Sequence, residues 1–434
     1  MHQRNNPSVE EKNKHFLLTR RFLPLFLTQF LGAFNDNIFR QAVIILITFQ
    51  FAAELSMAPP ILTNLAVGLF ILPFFLFSAL AGQLADKFEK SNQIVWIKLW
   101  EIVLMIIGAF AFYAESLPLM IIVLAGLGLQ STFFGPIKYG ILPDLMKRTE
   151  LLSANALVEA ATFVAILLGL MIGGTLVLSE GGLTQVSFFM IAIAVVGTLT
   201  GRMVPKTGAA APDLKINLNI FASTGQLLKS SWSNDISRRA IIGISWIWLL
   251  GTIFIAQIPD IVKNRLGGDE QIVTLFMACF SLGIGAGSLI CSRLLKGVIT
   301  AKLAVPALWS LAIVSAALVA LLPASASTDT AIGLQVFLQS PINIAITLLM
   351  ICVAVGAGII IVPLYAILQD RTDRQNRSRT MAATNIVNSG FMAVGSLLAA
   401  ALIGAGISSP QVLLITGVAN LIFIPIVKRL QRDL

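Results

Sequence analysis

The chain has 434 residues, 57% of them hydrophobic and 12% charged, with a mean hydropathy of +0.88. A soluble globular domain carries roughly 45–50% apolar and about 25% charged residues, so a water-soluble protein is excluded. A net charge of +9 would raise nucleic acid as a partner for a soluble chain, but the placement of the basic residues below gives it another meaning.

Residues 1–15 are polar and hold both histidines, His2 and His15. No His-based triad or metal cluster is therefore expected inside the apolar part, and no cofactor. The apolar run after Arg20 and Arg21 is too long for the core of a cleaved signal peptide. A helix needs about 20 mostly apolar residues to cross a roughly 30 Å hydrocarbon core. Twelve stretches meet that demand: 22–50, 61–85, 92–114, 117–141, 153–178, 184–204, 239–263, 270–295, 301–322, 342–369, 378–406 and 410–430. The runs are continuous, without the two-residue alternation of a membrane barrel, so the expected fold is all-α.

Span one carries Asp36 and Arg40 near its middle, in Gly32-Ala33-Phe34-Asn35-Asp36-Asn37-Ile38-Phe39-Arg40, with both charges on one helix face. Span two ends in Gly82-Gln83-Leu84-Ala85-Asp86-Lys87, and Lys138 stands about one turn from the end of span four. Span five holds Asn155 and, one turn on, Glu159. An ionisable group at membrane depth costs a few kcal/mol or more, which makes each a functional candidate. Each also has a plainer reading. Asp36 and Arg40 would neutralise one another, Lys138 would snorkel to the interface, and Glu159 would hydrogen-bond Asn155 or pair with Lys138. Span five also shows Ala165, Gly169, Gly173 and Gly174 at four-residue spacing, a pattern that close helix packing explains.

Residues 205–238 separate a six-span bundle (1–204) from a second one (239–434). The linker is flexible at its start, and 214–221 has the makings of a surface-lying amphipathic helix or of a simple solvated connection. The later spans contain the three cysteines, Cys279, Cys291 and Cys352, which read as small apolar residues. They contain no counterpart of the charges in spans one, four and five. All but four of the 30 Lys and Arg fall on the side of the N-terminal tail and the linker; Lys263 and Arg265 lie opposite, and Arg40 and Lys138 lie within spans. This positive-inside bias puts both termini in the cytoplasm. The net charge thus reports topology, with no nucleic-acid partner implied.

The halves repeat one another. Gly287-Ser288-Leu289-Ile290-Cys291-Ser292 stands after span eight as Gly82–Lys87 stands after span two. Pro363-Leu364-Tyr365-Ala366-Ile367-Leu368-Gln369-Asp370 follows span ten as Pro136–Asp144 follows span four.

A six-plus-six duplication with a basic central loop resembles the major facilitator superfamily, and Gly82–Lys87 is similar to its G-x-L-x-D-R/K loop motif. The resemblance implies that Gly82 lets two helices approach and that Asp86 caps and charge-pairs in one state of a conformational switch. Cys291 at the second copy's Asp position makes such a latch one-sided. Three strings are more specific: Gln29-Phe30-Leu31-Gly32-Ala33-Phe34-Asn35-Asp36-Asn37, Gly135-Pro136-Ile137-Lys138-Tyr139-Gly140-Ile141-Leu142 and Ala154-Asn155-Ala156-Leu157-Val158-Glu159-Ala160. These resemble the bacterial lysophospholipid transporter (LplT) family, whose members move lysophosphatidylethanolamine and lysophosphatidylglycerol inward across the inner membrane. The resemblance implies head-group contacts by Asp36 and Lys138 with Glu159 nearby, and the same strings bring in Asn35, Tyr139 and Asn155. Arg40 departs from the more apolar residue expected at its place.

The expectation is therefore a monomeric, non-enzymatic, alternating-access transporter among membrane lipids. Some relatives of that family are fused to an acyltransferase and an acyl-carrier-protein synthetase. Neither histidine here begins an H-x-x-x-x-D signature, so such a partner is either a separate protein or has been cut away. The alternative is a proton-coupled exporter of amphipathic drugs. A lipid-modifying enzyme lacks a catalytic His, Cys or Ser constellation, and a non-transporting receptor leaves the buried charges without a purpose.

Overall fold

The computed structural model describes residues 16–51, 59–326 and 331–434; His2 and His15 lie outside them. Twelve helices among the described residues are long and apolar enough to cross a membrane. They are α1 Leu23–Phe49, α2 Pro59–Lys87, α3 Lys90–Tyr113, α4 Leu117–Gly140, α5 Arg148–Leu176 and α6 Gly182–Arg202. The second set is α7 Asp235–Asn264, α8 Glu270–Leu295, α9 Ala304–Leu321, α10 Pro341–Asp370, α11 Arg377–Gly404 and α12 Ser409–Arg432. A 3-10 turn at Asn420–Phe423 interrupts α12.

Local chemistry sets the helix starts. Pro24 and Pro118 open α1 and α4, where a missing N–H costs nothing. The Glu89 side chain caps α3 by accepting from Ser91 N at 3.3 Å, and Asn234 caps α7 by accepting from Ser237 N at 2.9 Å. Glu150 closes the start of α5 by accepting from Lys147 N at 2.9 Å.

The chain divides into two compact units. The first holds α1–α6, most of the linker, the short segment Lys296–Val298 and Thr372–Ile386, which includes the start of α11. Within it α1 lies along α5 and α6, α2 along α4, and α3 along α6. In the second unit α8 lies along α10, and α12 packs on α7 and α9, repeating the α2–α4, α1–α6 and α3–α6 pairings. Lipid tails are as apolar as Leu, so tight packing and interhelical polar contacts hold such bundles together. The small residues of α5 serve that packing. A Cβ on Gly169 would stand 2.6 Å from Asn37 Cβ, and one on Gly173 would stand 2.5 Å from Ile38 O. The glycine pattern thus seats α5 against the stretch of α1 that carries Asp36.

Of the two readings of 214–221, the surface helix is not formed over 214–219, which belong to no regular element, and the linker's helix is Ile220–Ser233. Asn217 donates its N–H to Gln83 Oε1 at 2.8 Å, and Gln83 Nε2 donates back to Asn217 O at 3.4 Å. The Glu89 carboxylate accepts from the N–H groups of Thr207 and Gly208 at 3.0 and 2.5 Å. Burial opposes the charge of Glu89, but the N–H groups of Thr207, Ser91 and Gly208 and the Ser91 hydroxyl outweigh it. They hold the carboxyl below the usual glutamate range.

Candidate functional site

The first unit's interior carries the polar groups. Asp36, midway along α1, is 7% exposed. Its Oδ2 accepts from the Ser131 hydroxyl of α4 at 2.5 Å, while Oδ1 is buried with no hydrogen-bond partner. Arg40, one turn on, does not close on Asp36. It donates to Asn37 Oδ1 at 2.5 Å and lies over the Phe70 ring, 5.7 Å from its centroid. The two charges share a helix face without a direct ion-pair contact.

Lys138, near the end of α4, turns inward instead of snorkelling. Its Nζ donates to Thr162 Oγ1 of α5 at 3.4 Å and stands 4.6 Å from the Tyr139 ring centroid. The Tyr139 hydroxyl donates to Glu159 Oε1, and Glu159 Oε2 is buried without a hydrogen-bond partner. Thr162 donates to Gln29 Oε1 at 3.0 Å, leaving Gln29 Nε2 unpartnered. Lys138, Tyr139, Glu159, Thr162 and Gln29 thus form one connected patch across α1, α4 and α5. Asp36 lies seven residues beyond Gln29 on α1, about 10 Å along the helix axis. Asn155 sits fully buried on the α5 face of the same unit and donates to Leu151 O at 2.9 Å.

Asn35 goes elsewhere. It donates to Glu101 Oε1 and to Met190 O, both at 3.1 Å. Glu101 and Lys98, on α3, form an ion pair in which neither side chain is more than 2% exposed, and Gln130 Nε2 donates to Glu101 Oε2 at 3.1 Å. A Cβ on Gly197 would stand 2.8 Å from Lys98 Cε, so that glycine makes room for the lysine stem. The sequence reading missed this pair, because Lys98 falls among the basic residues counted on the side of the N-terminal tail and the linker. Glu101 inside an otherwise apolar run was the available signal. Ser131 and Gln130 connect the two sites, since Ser131 Oγ also stands 3.3 Å from Gln130 Oε1.

The loop motif sits at the end of the unit where α2 and α3 meet. Asp86 is wholly buried. It accepts from the backbone N–H groups of Ser378 and Arg379 at 3.0 and 3.1 Å, and from Arg379 Nε at 3.3 Å. It thereby caps the N-terminus of α11. A Cβ on Gly82 would stand 2.7 Å from Ala382 Cβ and 2.9 Å from Arg379 Cα, so the approach needs glycine. Nearby, Asp144 pairs with Arg377 at 2.9 Å, Arg374 at 3.4 Å and the buried Lys90 at 3.9 Å. Neither Asp144 nor its partners were singled out from the sequence. Among the described residues no group of three or more His, Cys, Asp or Glu is placed to hold a metal ion.

The family model of the Major Facilitator Superfamily matches residues 25–396. The lysophospholipid transporter LplT of Escherichia coli (strain SE11) is 31% identical over 353 residues, covering 80% of this chain and 79% of that protein. LplT of Shigella boydii serotype 4 (strain Sb227) matches to the same extent. Among solved structures, the human organic anion transporter MFSD10 superposes with a TM-score of 0.72 at 14% identity, covering 97% of this chain and 100% of that one. FucP in the outward conformation gives 0.69 at 12% identity, covering 95% and 99%.

Proposed function

This chain belongs to the Major Facilitator Superfamily, and within it to the lysophospholipid transporter family, and we propose that it carries lysophospholipids inward across the bacterial inner membrane. It is a multi-pass membrane transporter. The observation that carries the reading is the pairing of one inward-turned cation with two incompletely satisfied carboxylates in a single unit. Lys138 suits a phosphate. The free oxygens of Asp36 and Glu159 suit an ethanolamine ammonium.

In this reading the lysolipid enters laterally from the outer leaflet, and alternating access delivers it to the inner one. The Asp86 cap on α11 favours one of the two facings. Arg40 is committed to Asn37 and Phe70, which leaves Lys138 as the principal phosphate ligand. The basic bias supports a cytoplasmic placement of both termini.

The test is uptake of labelled lysophosphatidylethanolamine into spheroplasts that express wild type, Asp36→Ala or Lys138→Ala at equal protein levels. Uptake is expected to fall at least tenfold in each variant, as the loss of a hydrogen bond to a charged group implies. Wild-type uptake in both variants overturns the site. Drug efflux without lysolipid uptake in the wild-type protein favours the exporter reading.

A further inference from the structure

A cavity of about 510 Å³ opens at the Asp86 end of the first unit, away from Asp36 and Lys138. It is lined by Arg21, Asp144, Leu145, Pro205, Lys206, Thr207 and Arg374. Cations outnumber carboxylates around it even with Glu89, which accepts from Thr207 N–H and Gly208 N–H. Arg374 Nη2 also donates to the Thr207 carbonyl and, at 3.2 Å, to the Gly208 carbonyl. Asp144 already answers Arg374 and Arg377, with Lys90 at 3.9 Å, so three cations share one carboxylate. Lys90 Nζ is buried and makes no hydrogen bond. Lys206, on the linker, is exposed and adds a fourth cation with no ion-pair partner among the described residues. Arg21 is matched by Glu150 at 3.3 Å.

We propose that this cavity binds a phosphate-bearing anion, held by Lys206, Arg374 and Arg21. Crowded cations repel one another and an anion among them offsets that repulsion, and guanidinium forks with an ammonium match phosphate oxygens. The volume exceeds what inorganic phosphate alone needs and falls in the range of small-ligand sites. A glycerophosphate head group of an anionic membrane lipid and a free organophosphate share the required chemistry. The site is independent of the transported cargo. Arg374 precedes α11 in the segment that groups with the first unit through Asp86. Bound anion therefore favours the arrangement in which that segment is docked, and docking in turn raises affinity for the anion.

The experiment uses the purified full chain in two settings, with thermal unfolding as the readout. In detergent, inorganic phosphate is titrated against chloride at matched ionic strength. In nanodiscs, phosphatidylcholine alone is compared with a mixture containing phosphatidylglycerol. A rise of about 2–4 °C is expected with the anion at saturation. Lys206→Ala leaves a folded protein, because the side chain is exposed and unpaired, and it weakens half-saturation about tenfold. Lys215→Ala, an exposed linker lysine outside the cavity, keeps the wild-type response. A response to phosphate supports a soluble anion as ligand; a response only to phosphatidylglycerol supports a lipid head group. Absence of both responses, a Lys206→Ala response equal to wild type, or an equal loss in Lys215→Ala overturns the proposal.

Discussion

The two units share a helix plan and differ in what they bury. Among the described residues the first unit buries Asp36, Asp86, Lys90, Lys98, Glu101 and Glu159, whereas the buried polar residues of the second are uncharged. Where the first unit sets Asp36 against Ser131, the second sets neutral pairs: Ser245 donates to Asn388 at 2.6 Å and Trp246 to Asn420 at 2.6 Å. The contrast extends to the repeated loop motif, where the buried Cys291 stands at the place of Asp86. A duplicated scaffold can therefore keep its helix contacts while charge is confined to one copy. Buried ions demand partners on several helices at once, whereas neutral hydrogen bonds demand one.

That contrast can be broken by substitution. The largest effect is expected at Glu101. Its removal by Glu101→Ala leaves Lys98 buried and uncompensated, a loss of about 3–5 kcal/mol, read as a collapse of folded yield and a fall in unfolding temperature. The paired change Lys98→Met with Glu101→Leu is expected to recover most of it, since no lone charge remains. A single variant that unfolds like wild type would show that the pair contributes nothing to the first unit.

A smaller effect belongs to Asp86. Asp86→Ala removes the cap from α11, worth about 0.5–2 kcal/mol. Cysteine labelling along Ser378–Ala382 is expected to rise several-fold, with total protein unchanged. In the second unit, Ser245→Ala is expected to cost only about 0.6 kcal/mol, the scale of neutral interhelical hydrogen bonds in membranes. A Ser245→Ala loss as large as that of Glu101→Ala would erase the distinction between the units.

The smallest effect is set by pH. The Glu89 carboxyl is held below the usual glutamate range, near 4.3 when unperturbed. Its contribution to holding the linker is complete above that range and fades as pH falls through the lowered value. Limited proteolysis at 205–217 is expected to accelerate only under strongly acidic conditions, and Glu89→Gln to be fast at every pH.

The comparison also shows what a sequence discloses. The spans were legible because twenty apolar residues have few other uses, and Asp86 was legible because its motif is local. Lys98 and Glu101 were hidden by position, since a lysine one turn or two inside a span resembles a flanking charge until its partner is seen. Glu159 and Lys138 were legible as charges, but their bridge through Tyr139 required α4 and α5 to be side by side. The linker was legible in part. Leu214, Ile216 and Leu218 alternate with Lys215, Asn217 and Asn219, a two-residue period that does not suit a helix, and the helix begins only at Ile220.

The tight seat of Gly82 against Ser378–Ala382 gives the experimenter a handle that leaves every ionised group in place. A methyl or isopropyl group introduced there acts as a doorstop: it wedges the start of α11 away from α2 by bulk alone. Graded side chains at this one position would set how far the segment stands off, and so separate the steric part of the latch from the Asp86 hydrogen bonds that accompany it.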